Sequence, residues 1–104
     1  MKILAIEKET PGTTDEQFAP LLRQEAERAW DLYRSGTIRE LYFRADREEA
    51  VLILECQDLE EASRALESLP LAQNGLISFD LIPLVPYPGF ERLFGTPRGN
   101  RDPA

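Results

Sequence analysis

One acidic residue in the segment PLLRQEAERAWDLY, residues 20–33, lies where an amphipathic helix should be apolar. The spacing of Phe18, Leu22 and Ala29 predicts a helix whose residues advance about 100° each around the axis. By that count Glu25 falls inside the apolar arc, while the other charged residues of the segment lie outside it. Burial raises the pKa of a carboxyl group, which suits a general base. We therefore expect Glu25 to act as a base in a pocket between this helix and a sheet.

The absence of histidine sharpens this expectation. Acid–base chemistry in this chain must use carboxylates, tyrosines, lysines or a bound water, because the commonest general base is missing. The alternative is that Glu25 bends out to solvent or pairs with Arg28 or Arg39, since buried acids are seldom left unpaired. An open pocket beside Glu25 indicates an enzyme, whereas a closed pair of Glu25 and an arginine indicates a binding or assembly module.

The strand-like segment TIRELYFR, residues 37–44, carries three further candidates. Arg39 suits a bidentate contact with a substrate carboxylate, or it is a structural partner of an acid. Tyr42 can donate a proton, or its ring packs while its hydroxyl stays hydrated. Arg39 and Glu40 are adjacent on a strand and should point to opposite faces, with Arg39 on the face of Leu41. Only one of the two can therefore share a pocket with the helix acid.

Composition places the chain among ordinary globular proteins. Its 104 residues are enough for one domain, 42% of them hydrophobic and 30% charged. The net charge of −7 opposes binding to nucleic acid or to anionic membranes. The N-terminal apolar run is too short for a signal peptide, so a cytoplasmic location is expected. The single cysteine, Cys56, allows no intrachain disulfide, and we expect neither a metal nor an organic cofactor.

Strand and helix patterns alternate along the chain. Strand patterns occupy residues 2–8, 37–44, 50–56 and 76–84, and helix patterns occupy about 15–34 and 57–70. Thr13 or Thr14 and Asp58 are expected to cap the helices, and Gly36 and Pro70 to end them. The order β-α-β-β-α-β predicts an α+β, ferredoxin-like fold, a four-stranded antiparallel sheet with both helices on one face.

Two features predict self-association. The strand AVLILEC, residues 50–56, is apolar at both parities, so both of its faces should be covered, and the two helices cover only one. The tail, residues 89–104, follows a domain of residues 1–88. It continues an aromatic run that begins at Tyr87 and would be a costly exposed patch on a monomer. We expect this segment to dock on a partner subunit or over a pocket mouth, with its last residues, from about 97, loosely held.

Several short motifs together resemble the muconolactone isomerase-like domain over about residues 2–88. They are RSG at 34–36 leading to Arg39 and Leu41, then Arg47, LPL at 69–71, PL at 83–84 and a proline-containing tail. The resemblance implies a dimeric α+β barrel, in which two sheets lie face to face and the pairs assemble into rings. It also implies movement of a proton within an unsaturated lactone carboxylate without metal or organic cofactor.

The resemblance also assigns individual residues. Glu25 and Arg39 stand where the family carries the same residue types, and Glu40 and Tyr87 stand where the family pattern has histidines. The candidate catalytic residues are therefore Glu25, Glu40 and Tyr42, and the candidate substrate-binding residues are Arg39 and Tyr87. The expected function is cofactor-independent proton transfer on a small anionic organic molecule. The alternatives are a non-catalytic module for ligand binding or oligomerisation, and a cofactorless monooxygenase acting on an electron-rich aromatic.

Overall fold

The computed structural model describes residues 1–95, which form one sheet and five helices. The strands are β1 (Lys2–Glu9), β2 (Ile38–Phe43), β3 (Ala50–Glu55) and β4 (Ile77–Leu84). The helices are α1 (Asp15–Phe18), α2 (Leu22–Arg34), α3 (Leu59–Glu67), α4 (Pro70–Gln73) and α5 (Glu91–Phe94). The sheet is antiparallel in the order β2-β3-β1-β4, which confirms the predicted ferredoxin-like arrangement.

The hydrophobic core lies between one face of the sheet and helices α2 and α3. Ile3 and Leu54 of the sheet are fully buried there, against Leu32 of α2 and Leu66 of α3. The opposite face carries half-buried and exposed apolar residues, and no helix of residues 1–95 lies on it. Leu4 and Ile6 of β1, Val51 and Ile53 of β3 and Ile82 of β4 are among its residues. Both helices therefore cover a single face, as predicted.

The predicted helix over 15–34 is interrupted. A 3-10 turn, Ala19–Leu21, separates α1 from α2, because Pro20 has no backbone N–H to donate to a helical hydrogen bond. The Thr14 N–H donates to Gln17 Oε1 at 2.8 Å, which confirms the predicted cap at Thr14. Gly36, with φ of +87°, ends α2 in the left-handed conformation, also as predicted.

The end of the second long helix was predicted in the wrong place. Helix α3 ends at Glu67, and Pro70 begins α4 instead of terminating α3, because proline fits the first turn of a helix, where its missing N–H costs nothing. The predicted cap is confirmed, since Asp58 Oδ1 accepts from the Glu61 N–H at 2.8 Å.

The segment after β4 exposes large apolar side chains. Tyr87, Phe90 and Phe94 are all more than half exposed, and the Tyr87 and Phe90 rings meet edge to face at 5.1 Å. The expectation of a loosely held chain end falls on the residues from about 97, which lie outside the described residues. Within residues 1–95 no helix is both long and apolar enough to cross a bilayer.

Candidate active site

A cavity of about 550 Å³ opens between helix α2 and the sheet. It exists because small side chains occupy positions where a filled core would need large ones. Ala26 and Ala29 of α2 and Ala50 of β3 line it, and none of them reaches across the gap. Apolar side chains from α2, β2, β3 and α4 form most of the remaining wall, among them Leu22, Leu41, Leu52, Leu69 and Leu71. The volume lies in the range of small-molecule sites.

Glu25 reaches this cavity from α2, as its place on the helical arc predicted. Its side chain is half-buried, and its Oε1 accepts a hydrogen bond from the Leu71 N–H at 2.9 Å. That donor belongs to the first turn of α4, where backbone N–H groups have no partner within the helix. Burial raises the pKa of Glu25, although the hydrogen bond from Leu71 opposes the rise. The pair with Arg28 is not formed, because the Arg28 Nε donates instead to Ser68 Oγ at 2.8 Å.

A second carboxylate, Glu7 of β1, lines the same cavity and was missed by the sequence analysis. Only 7% of Glu7 is exposed, and its Oε1 accepts from the Ala50 N–H at 3.2 Å. Burial raises the pKa of Glu7 to about 7, the Ala50 hydrogen bond opposes the rise, and the nearby charge of Glu25 adds to it. The signal was available in the strand period, because Ile3, Ala5 and Glu7 alternate onto the buried face.

The charged side chains that line the cavity are all acidic. Five carboxylates belong to the lining, those of Glu7, Glu9, Asp15, Glu25 and Glu48, and no lysine or arginine among the described residues does. Glu9, Asp15 and Glu48 are exposed, whereas Glu7 and Glu25 are the two carboxylates withdrawn from solvent. The cavity therefore concentrates negative charge around an apolar interior.

Arg39 was expected beside Glu25, but the structure does not bring the two together. The register of β2 on β3 shifts between Ile38 and Glu40, so Arg39 is the extra residue of a bulge. Because of this bulge, Ile38 and Leu41 both line the cavity. Arg39, which was predicted to share a face with Leu41, does not line it. The Arg39 Nε donates to the Gly36 carbonyl at 2.5 Å.

Arg39 lies instead in a shallower groove beside the cavity, of about 540 Å³. Glu40 and Tyr42 line the same groove, and the Tyr42 hydroxyl donates to Glu40 Oε1 at 2.9 Å. That hydrogen bond to an acceptor carboxylate raises the pKa of Tyr42. The pKa of Glu55, which points away from the cavity, is lowered mainly by the hydrogen bond from the N-terminal ammonium group and to a smaller extent by the charge of Arg39. Three of the predicted site residues, Arg39, Glu40 and Tyr42, thus line one groove, and Glu25 lines the separate cavity.

Tyr87, the last predicted binding residue, lies beyond β4 and does not line the cavity. Its role, like those of Arg39, Glu40 and Tyr42, stays a prediction. Within residues 1–95 no three histidine, cysteine, aspartate or glutamate side chains are gathered closely enough to hold a metal ion.

Comparison with known proteins identifies relatives of this fold. The model of the muconolactone delta-isomerase family matches residues 5–89. A crystal structure of muconolactone isomerase superposes with a TM-score of 0.70 at 22% identity, covering 85% of this chain and 92% of that one. The 5-chloro-2-hydroxyhydroquinone dehydrochlorinase of Burkholderia phenoliruptrix AC1100, in complex with 2,5-dihydroxybenzoquinone, superposes with a TM-score of 0.64 at 17% identity, covering 82% and 94%. No curated protein matches the chain.

Proposed function

Because the chain belongs to the muconolactone delta-isomerase family, we propose that it catalyses cofactor-independent proton transfer within a small organic molecule bound in the cavity. One observation carries the proposal. Glu25 lines an open cavity with a raised pKa and without a cation bound to its carboxylate among residues 1–95. A free, partly desolvated carboxylate is the form in which glutamate works as a general base.

The proposed reaction begins at a C–H bond next to a carbonyl group or lactone. Glu25 takes the proton, and the electron pair of the broken C–H bond moves into the conjugated system as an enolate. Return of the proton to a different carbon of that system completes an isomerisation without net change in atoms or charge. The Leu71 N–H holds one oxygen of Glu25, so the other can face the substrate.

Glu7 is a second titratable group in the same cavity, and the sequence did not predict it. With a pKa of about 7 it carries a proton for much of the time at neutral pH. A protonated carboxyl group in an apolar site donates a hydrogen bond to the oxygen on which negative charge develops. Glu7 therefore stabilises the enolate while Glu25 moves the proton.

The same scaffold supports self-association. The helix-free sheet face, defined here by Leu4, Ile6, Val51, Ile53 and Ile82, is apolar, and a second copy of the sheet would cover it. The exposed aromatic run around Phe90 and Phe94 offers a second contact. We propose a homodimer or larger ring with two sheets face to face.

One observation favours a second function, a non-catalytic module on this fold. The bond from the Leu71 N–H to Glu25 ties α2 to α4, and such a bond is useful to a fold whether or not chemistry occurs. Glutamine at position 25 keeps an oxygen for that bond but cannot accept the substrate proton. Loss of proton transfer with an unchanged fold in Glu25→Gln therefore separates the two functions.

Proton transfer is measured directly as exchange of deuterium from D₂O into candidate molecules, followed by proton NMR. The panel comprises unsaturated γ-lactones and, because a structural relative holds it, 2,5-dihydroxybenzoquinone. The proposal predicts exchange that is faster than in buffer and that requires Glu25. Exchange no faster than in buffer for every member of the panel contradicts it.

A further inference from the structure

We propose that the cavity binds an uncharged cyclic molecule rather than a carboxylate, a substrate class that rests on the proposed function. The geometry differs in this respect from the expectation of an anionic substrate anchored by Arg39. An anion needs a cation or several N–H donors facing it, and the wall of this cavity supplies acceptors instead.

The wall of the cavity carries an excess of negative charge. Among residues 1–95, all five charged groups that line the cavity are carboxylates, two of them deep and three exposed. A carboxylate brought among them loses water and gains repulsion from like charges in a medium of low dielectric. An uncharged ring loses little on entry and buries apolar surface against Leu52 and Leu71.

The arginines of the loop between β2 and β3 are paired with acids outside the cavity lining. Arg44 is held by Asp46 in a two-bonded pair of 2.7 and 2.8 Å. Arg47 Nη1 lies 3.6 Å from Glu49 Oε1. Each of these cations is paired with an acid outside the cavity lining, so none is left facing a ligand carboxylate.

The carboxyl group of Glu7 offers a polar contact to an uncharged ligand. Glu7 uses its Oε1 for the Ala50 N–H, while its Oε2 has no hydrogen-bond partner among residues 1–95. When Glu7 is protonated, that oxygen can donate to a ligand carbonyl. A lactone or cyclic ketone without a carboxylate therefore offers an acceptor to that oxygen of Glu7.

The test compares a ligand acid with its own methyl ester. The probes are γ-carboxymethyl-butenolide and its methyl ester, which share the ring and differ in charge. Binding to the full chain is measured by NMR titration at about pH 6, where the ligand acid is ionised and Glu7 still carries its proton. The inference predicts that the ester binds at least about tenfold more tightly than the acid. Tighter binding of the acid, equal binding of the two probes, or binding of neither overturns it.

Variants that remove charge from the exposed part of the lining test whether these carboxylates cause the preference for the ester. The double variant Glu9→Gln/Glu48→Gln should strengthen binding of the acid several-fold and leave binding of the ester nearly constant. The matched control Glu27→Gln/Glu60→Gln removes the same charge from exposed positions outside the cavity lining. If the control strengthens binding of the acid as much as the cavity variant, overall charge and not the cavity sets the preference, and the inference fails.

The two proposals fail in different ways. Preferential binding of the ester without deuterium exchange contradicts the proposed function and leaves the charge preference standing. Exchange that requires Glu25 but works best on the acid leaves the proposed function standing and overturns the charge preference.

Discussion

Glu7 of β1 and Glu25 of α2 line one cavity from the sheet and from the helix, and each carboxylate accepts a backbone N–H instead of pairing with a cation. Burial is the main cause of the raised pKa of Glu7, and the charge of Glu25 adds to it. When two carboxyl groups in one apolar site have different pKa values, one can act as proton donor and the other as proton acceptor. This relationship underlies the predictions below.

Glu25→Gln should lower the rate of deuterium exchange at least about 100-fold, the usual contribution of a general base. Stability should stay within about 1 kcal/mol, because the glutamine oxygen can still accept the Leu71 N–H. The rate is measured by proton NMR and stability by urea unfolding, with exposed Glu27→Gln on the same helix as the control.

Glu25→Ala provides the complementary measurement. It removes both the base and the acceptor of the Leu71 N–H, so it should cost about 1–3 kcal/mol of stability in addition to the activity. An undiminished exchange rate in either variant sinks the assignment of Glu25 as the base.

Glu7→Gln should change how stability depends on pH. The folded-state pKa of Glu7 is about 7, above the ordinary value of 4.5, so the folded chain holds a proton that the unfolded chain releases. Folding is therefore favoured below about pH 4.5, and stability falls as pH rises to about 7, by up to about 3 kcal/mol from this group. Glutamine does not titrate, so the variant should lack this loss.

The measurement for Glu7 is urea unfolding at a series of pH values and a fixed protein concentration. Glu27→Gln, an exposed acid, serves as the control and should keep the wild-type pH dependence. If Glu7→Gln and the wild type lose stability equally across this window, Glu7 is not the buried titrating group.

Arg39→Ala tests the anion anchor that the sequence predicted. Because the Arg39 side chain bonds to Gly36 and lies outside the cavity lining, KM for the ligand acid, γ-carboxymethyl-butenolide, should change less than about threefold. A rise in KM of tenfold or more, with kcat preserved, would restore Arg39 as a substrate contact.

Ile53→Asp tests self-association through the helix-free sheet face. A charge at the centre of an apolar interface is strongly unfavourable, so the variant should form a smaller species than the wild type in light scattering after gel filtration. Arg64→Asp, on the exposed side of α3, is the control and should keep the wild-type mass. A monomeric wild type, or an unchanged mass in Ile53→Asp, contradicts this interface.

The aromatic run after β4 is tested in the same way. Phe90→Ser/Phe94→Ser should reduce the mass or weaken ligand binding, according to whether the run docks on a partner subunit or over the cavity mouth. A double variant that matches the wild type in both measurements shows that this run docks on neither.

The sequence predicted the order of strands and helices along the chain, both helix faces and the place of Glu25, because these follow from local periodicity. It did not predict the setting of Arg39, since a bulge arises from how β2 pairs with β3 and not from the residues of β2 alone. Glu7 was overlooked because an acid near a strand end resembles a solvated residue until the neighbouring helix is positioned. The acidic lining was likewise invisible, because its members come from β1, α1, α2 and the loop before β3.

The most direct test of the account is a carbon-13 NMR titration of the glutamate carboxyl groups, assigned through Glu7→Gln and Glu25→Gln and repeated with the neutral methyl ester present. The account predicts that Glu7 titrates at about 7, that Glu25 titrates above its ordinary value, and that the ester shifts both signals. Titration of both groups near 4.5, with neither signal moved by the ester, would contradict the claim that these two carboxyl groups form the site.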